Sequence, residues 1–351
     1  MRNLENDYYN PFFSHIYVEK AVCGHPRTER ILKRFPDARV IVIDHYKDVF
    51  CRRGQDFILQ QRSQKLILAA NRGKLLYKGA AVCQSFGNEN FYYTSCMMNC
   101  VYDCEYCYLK GMYPSGNMVL FVNLEDIFDE IRKALKERSL YLCLSYDTDM
   151  MAMERITGYV QEWIRFVQEQ VRQGKELKVE IRTKSADGRF WRQKDPVPGV
   201  IYGITLSPQA VIDTYEHKTP SLRQRLASAG EALARGFSVR LCFDPMICLA
   251  DWQRHYGEML RQVFAEIDMQ KLADVSVGTF RISQDYLKEM RRREPYSAVA
   301  QYPYENDGGV YHYYAELTEK MERFLVSGLR EKLPEEKIFR WGNEAQDEKG
   351  M

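Results

Sequence analysis

The segment Cys96-Met97-Met98-Asn99-Cys100-Val101-Tyr102-Asp103-Cys104-Glu105-Tyr106-Cys107-Tyr108 gathers four of the chain's 10 cysteines. Within it Cys100, Cys104 and Cys107 follow the spacing C-x3-C-x2-C, with an aromatic residue directly before the last cysteine. Thiolates are the usual protein ligands of iron–sulfur clusters. Three in one loop hold three corners of a cubane and leave the fourth iron open to a small molecule. Adding Cys96 gives four thiolates, a set that also suits structural zinc. Zinc knuckles pair two couples across a longer loop, however, and no second couple follows here. The spacing favours the cluster, and Cys96 reads as a bystander at a strand end.

Working outward, the β-rich run Phe91-Tyr92-Tyr93-Thr94 precedes the loop and the apolar run Met118–Val122 follows it. Asn123 is a natural N-cap for a helix with Ile127, Phe128, Ile131, Ala134 and Leu135 on one face. Strands are predicted at Leu140–Ser145, Leu177–Lys184, Val200–Ser207, Phe237–Phe243 and Val275–Ser283. Helices are predicted at Glu154–Arg172, Ser221–Arg235, Asp251–Ile267 and Gln284–Arg293, with Gly174 and Gly236 stopping the first two. Alternation of this kind implies parallel βαβ units and an α/β fold, a partial (β/α) barrel of the TIM type. Chemistry in such barrels gathers at the C-terminal strand ends, where Cys143, Ser145, Lys184, Thr205 and Asp244 fall. The expected organisation is a small N-terminal α/β extension over 1–80, the barrel over 81–293, and a C-terminal segment over 294–351. That last segment carries Asp307-Gly308-Gly309 between aromatic flanks, a hairpin signal, followed by a helical, charged tail.

The chain has 351 residues, a hydrophobic fraction of 45% and a formal charge of +2. A sizeable core is available, and a strongly basic nucleic-acid-binding surface is excluded; any such contact must be local. The start, Met1–Tyr8, has no apolar stretch of the secretory kind, and runs such as Val40–Ile43 are too short to cross a membrane. A cytoplasmic monomer is expected, in which this many cysteines point to metal or redox chemistry rather than disulfides.

Aromatic included, the cysteine loop resembles the signature of the radical S-adenosylmethionine superfamily. With tyrosines on both sides of Cys107 it is similar, more narrowly, to the spore photoproduct lyase family. Cys143-Leu144-Ser145, Thr183-Lys184, Thr205 ahead of Val211-Ile212-Asp213, and Phe280–Ser283 extend the resemblance over about Tyr17 to Ser283. It implies a barrel of radical S-adenosylmethionine type with a 4Fe–4S cluster on Cys100, Cys104 and Cys107, and S-adenosylmethionine on the open iron and on Ser145, Lys184 and Thr205. A 5′-deoxyadenosyl radical would take hydrogen from C6 of the dihydrothymine half of spore photoproduct, reverting the lesion to two thymines. Cys143 would quench the thymine radical, with Tyr106 or Tyr108 restoring the thiol. The implied partners are ultraviolet-damaged DNA and an electron donor such as flavodoxin or ferredoxin; the implied location is the spore core. The family's lesion-probing hairpin is basic, whereas Tyr302–Tyr314 here carries Glu305 and Asp307 and no arginine.

Several alternatives stay open at this level. The substrate is spore photoproduct or another molecule handled by the same radical chemistry, and the zinc reading leaves a nucleic-acid-binding module without catalysis. Cys83 rivals Cys143 as hydrogen donor. Tyr106 and Tyr108 either relay hydrogen or pack the loop. Asp244, before Pro245, is a turn residue or a partner of the cofactor's adenosine hydroxyls, and Arg291-Arg292-Arg293 is a solvated helix end or a phosphate contact. His217-Lys218 is a loop or a backbone clamp.

Overall fold

The computed structural model describes residues 13–80 and 83–340; Met1–Tyr8 and the end of the charged tail lie outside them. Three parallel strands open the fold: β1 (His15–Glu19), β2 (Arg39–Ile43) and β3 (Leu66–Ala69). Short strands β4 (Tyr77–Lys78) and β5 (Phe91–Tyr93) lead to the cysteine loop, which carries β6 (Met97–Met98) and β7 (Asp103–Cys104). Then come β8 (Met118–Phe121), β9 (Leu140–Cys143), β10 (Leu177–Thr183), β11 (Val200–Thr205), β12 (Glu216–His217), β13 (Ser238–Met246) and β14 (Asp274–Thr279). β15 (Arg281–Ser283), the hairpin strands β16 (Glu305–Asp307) and β17 (Val310–His312), and β18 (Ile338–Arg340) complete the series.

Eight strands form one sheet in the order β18-β14-β13-β11-β10-β9-β5-β4, parallel except for β4 at its edge. Parallel neighbours need long crossovers. Helices Met150–Thr157, Tyr159–Arg172, Leu222–Ala234 and Trp252–Glu266 supply them, and the sheet curls into the expected partial (β/α) barrel. The second sheet runs β2-β1-β3-β8-β6. The N-terminal strands are thus continued by strands from within and just beyond the cysteine loop, which they buttress from behind.

Period-two alternation turns Tyr141 and Cys143, Glu180 and Arg182, and Arg240 and Cys242 into the barrel lumen. The lumen is therefore charged rather than apolar. Glu180 accepts hydrogen bonds from the Tyr141 hydroxyl, from Arg182 Nε at 3.0 Å and from Arg240 Nη1 at 2.8 Å. Gly203 makes room for this network: a Cβ there would lie 3.1 Å from Glu180 Oε1 and 3.2 Å from Cys242 Sγ. The opposite face packs on the helices, where Trp163 is fully buried and Phe128 stacks on Phe166 at 4.4 Å.

Three elements differ from the sequence reading. The helix predicted over Glu154–Arg172 is two helices, broken at Gly158, whose φ of 67° is left-handed. Asn123 precedes its helix but gives it no side-chain cap; its amide instead bridges to the Asn71 backbone at 2.8 and 2.9 Å. The strand expected over Val275–Ser283 divides at Phe280, and β15 leaves the barrel to pair with β17 of the hairpin.

Candidate active site

The cysteine loop leaves β5 at the C-terminal mouth of the barrel and is fastened from several sides. Asn99 adopts a left-handed φ of 67°, which asparagine tolerates better than most residues. Its amide donates to Ser115 O at 2.6 Å and Asn117 O at 2.7 Å, closing the loop's base. Gln61 and Gln64, ahead of β3, donate to the Cys100 carbonyl at 3.2 and 2.9 Å, and Gln61 also reaches Tyr102 O. Lys110, almost fully buried, pairs with Asp103 at 2.7 Å and with Glu294. β12 pairs with β7, setting Glu216 opposite Cys104. His217 meets Glu105 at 2.7 Å and Lys218 donates to Gln61 O at 3.0 Å, so the pair ties β12 to the loop on one side and to the segment ahead of β3 on the other.

Cys100, Cys104 and Cys107 are mutual electrostatic neighbours. Burial pushes the Cys104 thiol up to about 12 against the pull of Lys184, so the site offers neutral thiols that a metal must deprotonate. Cys96 stands apart: its sulfur accepts the Trp163 indole N–H at 3.3 Å in the core. Among the described residues no three His, Cys, Asp or Glu side chains converge on the position of a single ion. With Cys96 turned away onto Trp163, three thiolates remain in the loop, a set that fits an iron–sulfur cluster better than a four-thiolate zinc site.

The other predicted residues fall around this loop. The Lys184 ammonium sits 5.5 Å over the Tyr106 ring, and Thr205 is buried with its carbonyl accepting from Arg225 Nη1 at 3.1 Å. The Tyr106 hydroxyl donates to Glu216, which also takes Ser207 and the fully buried Arg225. Tyr108 turns the other way and donates to the Tyr146 carbonyl. Cys143 has Glu180, Arg182 and Cys83 as its charged and titratable neighbours. Cys83 lies 3.1 Å from the Tyr146 hydroxyl, so Tyr146 joins the two candidate donors to Tyr108. Ser145 Oγ, Asp147 Oδ1 and Thr148 Oγ1 are buried without hydrogen-bond partners. Unsatisfied atoms grouped at a strand end fit a polar ligand such as S-adenosylmethionine.

Two minor readings change. Asp244 is no turn residue but binds Arg281 in a two-pronged ion pair at 2.9 and 3.1 Å. Of the arginine run only Arg292 is solvated: Arg291 donates to Ala300 O and Tyr302 O, and Arg293 to Lys110 O and Tyr113 O. Arg293 thus fastens the helix end to the segment just after the cysteine loop, and Arg291 fastens it to the C-terminal segment. Tyr146, Asp147, Glu216, Arg225 and Gln61 carried no local sequence signal, although Tyr146-Asp147 directly follows the Cys-x-Ser motif.

The curled parallel sheet with a three-cysteine loop at its mouth defines a radical S-adenosylmethionine half-barrel. A family model for spore photoproduct lyase matches residues 15–338, and the chain belongs to that family. Similar curated proteins are the spore photoproduct lyase of Clostridium acetobutylicum, 25% identical over 181 residues, covering 49% of this chain and 52% of that protein. That of Bacillus subtilis (strain 168) is 20% identical over 292 residues, covering 81% and 82%. The chain thus spans about half the length of the Clostridium relative. Among solved structures, a spore photoproduct lyase mutant with bound AdoMet and dinucleoside spore photoproduct aligns with a TM-score of 0.77 at 19% identity, covering 94% of this chain and 99% of that one. A complex of the lyase with dinucleoside spore photoproduct gives 0.76 at 17% identity, with the same coverage.

Proposed function

We propose that the protein reverts the spore photoproduct to two thymines by radical S-adenosylmethionine chemistry. The observation that carries this reading is the Cys100–Cys104–Cys107 loop at the mouth of the barrel, beside the end of the strand that bears Cys143, in a chain of this family. The three thiolates would hold a 4Fe–4S cluster; with S-adenosylmethionine bound it supplies the radical that takes hydrogen from the lesion. Lys184 offers an ammonium and Ser145 an unpaired hydroxyl to the cofactor, and Thr205 lines the neighbouring strand end. The buried loop and Tyr106 exclude water from the reacting centre. Cys143 gives a hydrogen atom to the thymine radical after the methylene bridge breaks, and regains one through its neighbour Tyr146, whose ring meets Tyr108. A small flavodoxin or ferredoxin would supply the electron to a monomer working in the spore cytoplasm. No described helix is long and apolar enough to cross a membrane.

The hairpin favours a second reading. Glu305, Asn306 and Asp307 are exposed at its tip, where carboxylates repel a phosphate backbone. The same radical chemistry would then serve a substrate other than duplex DNA. An anaerobic assay with S-adenosylmethionine, dithionite and either dinucleotide spore photoproduct or a lesion-bearing oligonucleotide separates the readings. Thymine recovery supports repair. Cofactor cleavage with both lesions intact refutes it in favour of another substrate.

A further inference from the structure

We infer that the surface carried by the short helices Lys47–Phe50 and Phe57–Arg62 docks an acidic one-electron carrier protein, with Leu59 seating it and Arg52, Arg53 and Arg62 steering it. Resting on the radical S-adenosylmethionine reading, this surface is where the electron enters.

Leu59 is 61% exposed. Phe57 and Gln61 turn inward, so Leu59 and Arg62, three positions apart, share the outer side of their helix. Gln55 ties the preceding segment to that helix: its amide donates to Phe50 O at 2.9 Å and Arg52 O at 2.7 Å, and its oxygen accepts from Gln60 Nε2 at 2.7 Å. Arg52, Arg53 and Arg62 are exposed, and among the described residues none of them forms an ion pair. Over 47–65 five lysines and arginines stand against two aspartates, a local excess above the +2 of the whole chain. Both aspartates serve backbone amides, Asp56 that of Leu59 at 2.9 Å and Asp48 that of His45 at 3.0 Å.

This surface rests directly on the cysteine loop. Gln61, two residues after Leu59, donates to the Cys100 carbonyl at 3.2 Å, and Gln60 Oε1 accepts from Ser115 Oγ and Gly116 N, both at 2.9 Å. A Cβ on Gly116 would lie 2.5 Å from Phe57 O, so the helix is pressed onto the segment that closes the loop. A single hydrogen bond and two peptide units therefore separate Leu59 from a cluster ligand. Electron transfer weakens steeply with distance, which favours a carrier seated here. The carrier gives up one electron, the cluster on Cys100, Cys104 and Cys107 takes it, and no atom is exchanged. Cys143 has the lumen residues Glu180 and Arg182 for neighbours, so the lumen stays free for substrate.

The chemistry of the surface selects a protein. Three unpaired arginines around an apolar side chain suit a small, transient encounter, in which opposite charge steers the partner and the leucine seats it. A phosphate backbone would use the arginines but gain nothing from Leu59.

Anaerobic calorimetry at low salt, with a reduced flavodoxin and a reduced ferredoxin as acidic probes and the cluster-loaded protein, tests the surface apart from turnover. The variants are the double Arg52→Glu/Arg53→Glu and the single Leu59→Ser. The first is expected to weaken carrier binding tenfold or more and the second threefold or more, with iron content and dithionite-driven cleavage of S-adenosylmethionine unchanged. Wild-type carrier affinity in either variant overturns the surface. Should the double variant instead lose affinity for a lesion-bearing oligonucleotide, the arginines belong to a DNA contact and the inference falls. Wild-type protein that binds neither carrier while cleaving the cofactor with dithionite overturns the surface and leaves the radical reading standing. Wild-type protein that cleaves no cofactor with dithionite overturns the radical reading itself, and the surface with it.

Discussion

Cys96 and Cys104 have the same side chain and are both buried, yet they face opposite ways. The Cys104 thiol lies among Cys107, Lys184 and Glu216, whereas Cys96 lies against Trp163. Alanine at Cys100, Cys104 or Cys107 is therefore expected to abolish cluster iron and reductive cleavage of S-adenosylmethionine. Cys96→Ala should keep both, at a stability cost of roughly 1–2 kcal/mol for a small cavity and a lost acceptor. Iron analysis after anaerobic reconstitution checks the assignment, and full iron in Cys104→Ala would sink it. The hydrogen donor is tested by product analysis. Cys143→Ala should still cleave the cofactor and open the lesion, but the thymine radical should then be trapped by dithionite as a sulfinate adduct. If Cys83 is the donor, the adduct moves to Cys83→Ala and Cys143→Ala repairs cleanly. Mass spectrometry of the two product mixtures distinguishes the cases.

Among the elements, β10 shows how a polar lumen is held. Burial alone pushes the Glu180 carboxyl up, but Arg182 and Arg240 outweigh it and hold the carboxyl below its ordinary value. The sign of the pH dependence follows. A depressed carboxyl contributes stability that is fully present above its unfolded value near 4.5, and loses it as pH falls through the lower folded value. Glu180→Gln should cost about 3 kcal/mol at neutral pH, since Arg182 loses its carboxylate partner and Arg240 is left with Asp274 alone. It should also flatten the acid limb of the stability curve below pH ~4.5. Urea denaturation across pH 3–7 measures both effects; a variant with wild-type stability at pH 7 and an unchanged acid limb would show that the network contributes nothing net.

For the whole molecule, a net charge of +2 and an acidic hairpin argue against a strongly basic face for phosphates. Lys110, Arg225, Arg240, Arg281 and Arg293 are spent on internal partners. Affinity for lesion-bearing DNA should thus fall only shallowly with salt, with a slope equivalent to about two or three phosphate contacts. Titrations of a labelled oligonucleotide at several salt concentrations give that slope directly. A value like that of a heavily basic DNA-binding protein would contradict this picture of the surface.

The C-x3-C-x2-C spacing, the order of strands and helices, and the Asp307–Gly309 turn were legible because each is encoded by residues near one another in the chain. Ligand spacing, apolar runs and turn residues act over a few positions, so one sequence suffices to read them. Gly158 escaped that reading because an amphipathic pattern runs on across a break made by a single left-handed residue. Arg291 and Arg293 looked solvated because the carbonyls they serve belong in part to a loop far earlier in the sequence. Whether a charge is free, paired or orphaned depends on what the closed barrel brings against it. Glu216 met Arg225, and Asp244 met Arg281. The sequence by itself determined the chemistry on offer. Tertiary closure decided which groups keep their charge for a ligand, because burial and pairing are made by residues the chain holds far apart.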